Sequence, residues 1–279
     1  MRGATLSGLG HIAACPGSAS LPRFQRANTA ASLGTAIHEL IANLITHGAG
    51  SLVAALDPSM MAARYGLAAD DAGRLAFLAA HLSLPVPAGA LAEVPLGYFP
   101  DGSVRRIEGG AGEYPDVGQL LSGTLDAMWA EPGGFFYGDE FQSDPPRAAE
   151  RTLWIVDWKT GDETHVPPPD RNWQLRAGAV MAAMWTGAQR VIPAICYVNA
   201  AECAEAVRAG VKYEGRWEVG APLDAAALDA IEAEMCAVLA RARGEDDGES
   251  GQDRVGRVRL HDPSSGVLPL VCLLWHVYG

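Results

Sequence analysis

A carboxylate and an ammonium sit two residues apart at the end of an otherwise apolar segment, Leu153-Trp154-Ile155-Val156-Asp157-Trp158-Lys159. The run from Thr152 to Trp158 is β-branched, aliphatic and aromatic, and predicts a short strand buried on both faces. Side chains two apart on a strand share a face, so the Asp157 carboxylate falls beside the Lys159 ammonium. A plain ion pair meets that spacing. Charges on a core strand are costly unless they are paired or put to use, so the pair reads either as structural or as part of a site.

Leu120 to Ala130 alternates, which predicts a second strand with Leu121, Gly123, Leu125, Ala127 and Trp129 on one side. It carries Asp126, in Ser122-Gly123-Thr124-Leu125-Asp126. Alone, Asp126 reads as a turn or cap carboxylate. If the two strands are hairpin neighbours, Asp126 and Asp157 converge. Two carboxylates and a main-chain carbonyl, that of Trp158, are hard oxygen ligands suited to Mg²⁺ or Mn²⁺.

Around these strands, residues 29–47 predict a helix with Leu33, Ile37, Leu40, Ile41, Leu44 and Ile45 as its apolar stripe. Ser32 or Thr29 is expected at its start and Gly48 at its end. An Ala-rich helix follows over 60–82, then a strand from Leu91 to Phe99 and a Gly-rich turn region over 101–118. A polar insertion occupies 132–150. Pro167-Pro168-Pro169 breaks the chain, and Asp170 is the expected cap of a helix over 171–187. Strands are predicted over Val191–Val198 and Val211–Val219. Asp224 then caps a helix to Arg243, with Leu228, Ile231, Met235, Val238 and Leu239 facing inward. Gly244 to Asp253 is acidic and reads as a mobile loop. The order helix, three strands, helix, strand predicts one α/β domain with a central mixed sheet flanked by helices.

Composition narrows the partners. The net charge of −12, from 21 Lys plus Arg against 33 Asp plus Glu, argues against coating nucleic acid non-specifically. It leaves room for a local basic groove beside metal-binding carboxylates. Five cysteines, odd in number and without a CxxC pair, predict free thiols. Ile12-Ala13-Ala14-Cys15 looks like a lipoprotein cleavage site, but no continuous apolar stretch precedes it, so a cytoplasmic location is expected. The apolar run Val267 to Val277 is too short to span a bilayer, and no membrane partner is expected.

The Gly-x-x-Asp strand followed by Asp-x-Lys resembles the signature of the PD-(D/E)XK nucleases. Gly34-Thr35-Ala36-Ile37-His38-Glu39-Leu40 is similar to the helix that carries an upstream His in the RecB-like and Cas4-like branch. Trp173-Gln174-Leu175-Arg176 is similar to the motif that follows Asp-x-Lys there, and Cys15-Pro16-Gly17-Ser18 to the N-terminal stretch of phage-type members. The resemblance covers residues 5 to 200. It implies a restriction-endonuclease-like core and Mg²⁺- or Mn²⁺-dependent hydrolysis of phosphodiester bonds in DNA. Asp126, Asp157, Lys159 and Gln174 would be catalytic. His38, Asp126, Asp157 and the Trp158 carbonyl would hold the metal.

Other positions leave alternatives. Without the resemblance, His38 reads as an interior or boundary residue beside its apolar stripe. Glu93, in Ala92-Glu93-Val94-Pro95, either supports the site, as an acidic residue of that strand does in some of the branch, or faces solvent. Trp173 is expected in the core, and Arg176 is a candidate phosphate contact. Gly178 departs from the family, which has a tyrosine four residues beyond the Gln. Some relatives hold an iron–sulfur cluster on one early and three late cysteines. Here Cys196, Cys203, Cys236 and Cys272 are too dispersed, and no cluster is expected. The resemblance thus implies an exonuclease in recombination, repair or phage DNA processing. With no P-loop present, a helicase would be a separate partner, as would a recombination or single-strand-binding protein. A restriction-type endonuclease and a non-catalytic DNA-binding or assembly module are the alternatives.

Overall fold

The strand predicted from its apolar run lies in the middle of the sheet. The computed structural model describes residues 4–15, 29–47, 57–109, 114–131, 151–160 and 166–244, with only the backbone of 29–31. The polar insertion over 132–150, Gly48, the acidic segment after Gly244, the C-terminal apolar run, Pro16-Gly17-Ser18 and Cys272 lie outside the described residues. In chain order the elements are β1 (Ala4–Thr5), α1 (Leu6–Ala14), α2 (Thr29–His47), α3 (Pro58–Arg64), α4 (Ala69–His81), β2 (Leu91–Tyr98) and β3 (Val104–Arg106). There follow β4 (Leu121–Glu131), β5 (Thr152–Lys159), α5 (Trp173–Thr186), β6 (Arg190–Tyr197), α6 (Ala200–Arg208), β7 (Arg216–Val219), β8 (Leu223–Asp224) and α7 (Ala225–Arg243).

The fold is α/β, with a mixed sheet ordered β3-β2-β4-β5-β6-β7. β2, β4 and β5 are successive antiparallel neighbours, and β5 pairs with β6 in parallel through the α5 crossover. β1 adds a short parallel pairing to β4, and β8 an antiparallel one to β6. Helices cover both faces. On one face Leu6, Leu9 and Ile12 of α1, Leu175 to Ala183 of α5, and Leu228, Ile231, Met235, Val238 and Leu239 of α7 bury Leu153 and Ile155. On the other, Ala36, Ile37, Leu40 and Ile41 of α2, with Met61, Leu75 and Leu78, bury Val156 and Trp158. This two-sided burial is why β5 reads as a continuous apolar run.

Several expectations need correction. The Ala-rich helix over 60–82 is two helices, because the chain turns at Tyr65 and Gly66, the latter at φ +60°. The 101–118 region contains β3, paired to β2. α5 is capped by Asn172, whose side chain accepts the Gln174 and Leu175 N–H groups, and not by Asp170. The strand over 211–219 shrinks to β7, since Gly215 at φ +76° interrupts it. α6, capped by Asn199, escaped the periodicity reading. β4 does not keep Leu121 to Trp129 on one side. Leu121 and Leu125 face α1 and α5, whereas Ala127 and Trp129 face the α2 layer. The face changes at Asp126.

Gly123 lets α1 lie flush on β4: a Cβ there would come within 2.6 Å of the Leu6 Cβ, so the helix would have to move. Gly123→Ala is expected to cost about 1–3 kcal/mol of stability. An unchanged urea midpoint would contradict this packing.

Candidate metal centre

The β4–β5 ladder runs from Glu131–Thr152 to Ala127–Val156. One step further, the main chains no longer pair. Instead the Asp126 Oδ2 accepts the Trp158 backbone N–H at 2.8 Å. A side-chain oxygen thus replaces a strand carbonyl, and a carboxylate fills the gap where the two strands part. A strand residue sends its N–H and C=O to the same edge, so the Trp158 carbonyl also faces this gap. His38 comes close enough that burial lowers its pKa while Asp157 and, least, the Trp158 backbone act to raise it.

The neighbouring strand bends at the same level. Glu93 stands between Val94, opposite Leu125, and Ala92, opposite Ala127, so both strands change face with no slip in register. Glu93 has φ +50°, the left-handed region. A non-glycine residue held there costs about 1–3 kcal/mol and persists only where its surroundings over-determine it. The turn brings its carboxylate to Asp126 and, from the α2 side, to His38. Ligand atoms of His38, Glu93 and Asp126 lie within 4.8 Å of one another. His38 Nδ1 is 3.6 Å from Asp126 Oδ2. Glu39, next to His38, is tied by Arg64 and by the Tyr65 hydroxyl, which anchors α2 to α3.

Asp157 approaches from the α5 side. Its Oδ1 accepts from Gln174 Nε2 at 2.9 Å, and its Oδ2 lies 2.6 Å from Lys159 Nζ. That ion pair is off the angle of a hydrogen bond, so the buried Oδ2 has no well-directed donor. The predicted group therefore assembles as two linked halves: His38, Glu93 and Asp126 within one metal-binding distance, and Asp157 with Lys159 and Gln174 beside them.

Crowding shows in the protonation equilibria. Burial pushes Asp126 up to about 6, against the Trp158 N–H, Lys159 and a hydrogen bond with Asp157. Burial and then the Asp126 charge push Asp157 up to about 6, and burial, then Asp126, push Glu93 up to about 7. Burial lowers His38, which favours the neutral imidazole that a metal requires. Three carboxylates with one ammonium among them lack positive charge, and the donor set of oxygens plus one imidazole fits Mg²⁺ or Mn²⁺. His38, Glu93, Asp126 and the Trp158 carbonyl would hold the ion, with Asp157 adjoining.

The structure does not bring Arg176 to this group. Its guanidinium pairs with Glu234 at 2.7 Å and stacks 4.5 Å over the Trp173 ring. Trp173 packs against the first core, as expected. Gly178 faces the sheet, where a Cβ would fall 2.8 Å from Leu125 Cδ2, so a larger side chain there requires Leu125 to shift. Cys196 and Cys203 lie in the α2-side core, while Cys236 packs against the other. Sequence reasoning missed Tyr114, whose hydroxyl is 2.9 Å from Thr124 Oγ1. Its signal was faint, a tyrosine in a Gly-rich turn region.

The raised carboxyls set the sign of the pH dependence. Folded values near 6 and 7 exceed the ordinary 3.8 and 4.5. The stability these groups contribute is full below the ordinary values and is lost as pH rises through 6 to 7. In EDTA at about pH 8, Asp126→Asn should be more stable than wild type by about 1–3 kcal/mol, and Mn²⁺ should stabilise only the wild type. Thermal melts check both, and a variant less stable than wild type in EDTA would contradict the crowding. No protein-family model matches the chain, and no curated protein sequence matches it.

Proposed function

We propose that the chain is a Mg²⁺- or Mn²⁺-dependent deoxyribonuclease, acting as an exonuclease in recombination, repair or phage DNA processing. One observation carries the reading. Where β4 and β5 part, His38, Glu93 and Asp126 gather at ligand distance while Asp157 holds Lys159 alongside. Carboxylates, an imidazole and a lysine ammonium at one point suit phosphodiester hydrolysis better than any role in packing, because each is costly to bury. The resemblance of Asp126, Asp157, Lys159, Gln174 and His38 to nuclease motifs supplies DNA as the substrate and the exonuclease class.

A bound divalent ion supplies a water of lowered pKa and polarises the phosphoryl oxygen. The rest falls to the chain's own groups. Lys159 is the more exposed member of its pair, with 28% of its side chain accessible against 4% for Asp157. Its ammonium can therefore meet substrate and offset charge that builds on the phosphoryl oxygens. Asp157 fixes that ammonium, and Gln174 fixes Asp157 from α5. His38, neutral, leaves a ring nitrogen free of charge for a ligand position.

Linear duplex DNA with Mn²⁺ tests the reading. Wild type should degrade it, EDTA should stop it, and Lys159→Ala should lose at least about 100-fold in rate while keeping Mn²⁺ affinity. Equal cleavage by Lys159→Ala, or none by wild type, would sink the nuclease reading. Covalently closed circular DNA should be spared, and its cleavage would favour an endonuclease.

A further inference from the structure

Tyr114 is a polar side chain near the carboxylates that the metal group does not use. Its hydroxyl is partly buried against Thr124 Oγ1 at 2.9 Å. Thr124 lies two residues before Asp126 on β4, so the phenol rests on the stretch of strand that leads to the carboxylate. Its turn is held from beneath. The Gln119 side chain, in a residue only 6% exposed, accepts the Val117 N–H at 2.9 Å and donates to the Pro115 carbonyl at 2.7 Å. A buried amide with both ends spent on one turn fixes where that turn places its tyrosine.

The charged groups that act on the phenol are those of the site. Burial raises its pKa, hydrogen bonds from the Thr124 side chain and backbone lower it, and Glu93 and Asp126 raise it again. The hydroxyl is thus a neutral donor at neutral pH beside the carboxylates. It offers one hydrogen and two acceptor positions, which the contacts with Thr124 do not exhaust. A neutral donor suits a phosphate oxygen here, since it binds the anion without competing with a metal for the carboxylates.

We propose that Tyr114 is a substrate-contacting residue whose hydroxyl donates a hydrogen bond to a phosphate oxygen of DNA bound at the Glu93–Asp126 group. This rests on the nuclease reading. It assigns Tyr114 to substrate binding, not to holding metal and not to the chemical step.

Tyr114→Phe removes the hydroxyl and keeps the ring, whereas Tyr114→Ala removes both. Three quantities separate the roles: Mn²⁺ affinity by calorimetry, KM and kcat on linear duplex, and Kd for labelled duplex in a Lys159→Ala background. Tyr114→Phe should raise KM and Kd about 5- to 20-fold, with kcat and Mn²⁺ affinity within about twofold of their parents. If Tyr114→Phe behaves as its parent and only Tyr114→Ala weakens binding, the ring is packing and the proposal is overturned. A loss confined to kcat, or weakened Mn²⁺ binding, overturns it as well. Wild type that cleaves while Tyr114→Phe is unchanged sinks this proposal alone. Wild type that neither binds nor cleaves duplex sinks the nuclease reading together with it.

Discussion

The Trp158 N–H donates to Asp126 Oδ2 at the level where the β4–β5 ladder ends. A sheet interior demands an acceptor for every buried N–H, and here a carboxylate serves in place of a neighbouring strand. That substitution fixes Asp126 at the mouth of a gap between two strands and turns the Trp158 carbonyl into the same gap. The turn at Glu93 on one side and the approach of α2 on the other then close three ligand groups around it. α5 reaches the neighbouring Asp157 from the opposite face, through Gln174. The site is therefore where two helical layers meet across a sheet that has locally come apart.

Such an arrangement is unfavourable for the metal-free protein. Burial pushes three carboxyls toward their neutral forms, the Asp126 charge adds to this at Asp157 and Glu93, and Glu93 holds a backbone conformation that few non-glycine residues adopt. Both are offset elsewhere, by two apolar cores and by helices packed flush against the sheet at Gly123 and Gly178. Gly178 lies against the sheet, where a Cβ would fall 2.8 Å from Leu125 Cδ2.

Much of this was legible in the sequence. The apolar run ending in Asp157 and Lys159 announced β5 and its burial, and the stripe of Leu33 to Ile45 announced α2 with His38 at its edge. Alternation put Asp126 on a strand, and its convergence with Asp157 waited on the two strands being neighbours, as they are. Periodicity could not show that β4 changes face at Asp126, because Leu125, Ala127 and Met128 are all apolar and alternation there is ambiguous. Glu93 stayed undecided for a related reason: its role depends on a positive φ that no residue type at that position signals. Arg176 looked available as a cation, and only packing shows it occupied by Glu234 and Trp173. α6 was missed because it is only nine residues long and fully buries Cys203 alone.

In the proposed centre, His38, Glu93, Asp126 and the Trp158 carbonyl face one metal position beside the Asp157–Lys159 pair. Anomalous diffraction from crystals soaked in Mn²⁺ addresses it directly. One dominant manganese peak is expected in this gap, about 2.0–2.3 Å from His38, Glu93 or Asp126 ligand atoms, with Asp126 turned from or shared with the Trp158 N–H. A manganese peak elsewhere, with the gap still closed by the Asp126–Trp158 hydrogen bond, would contradict it.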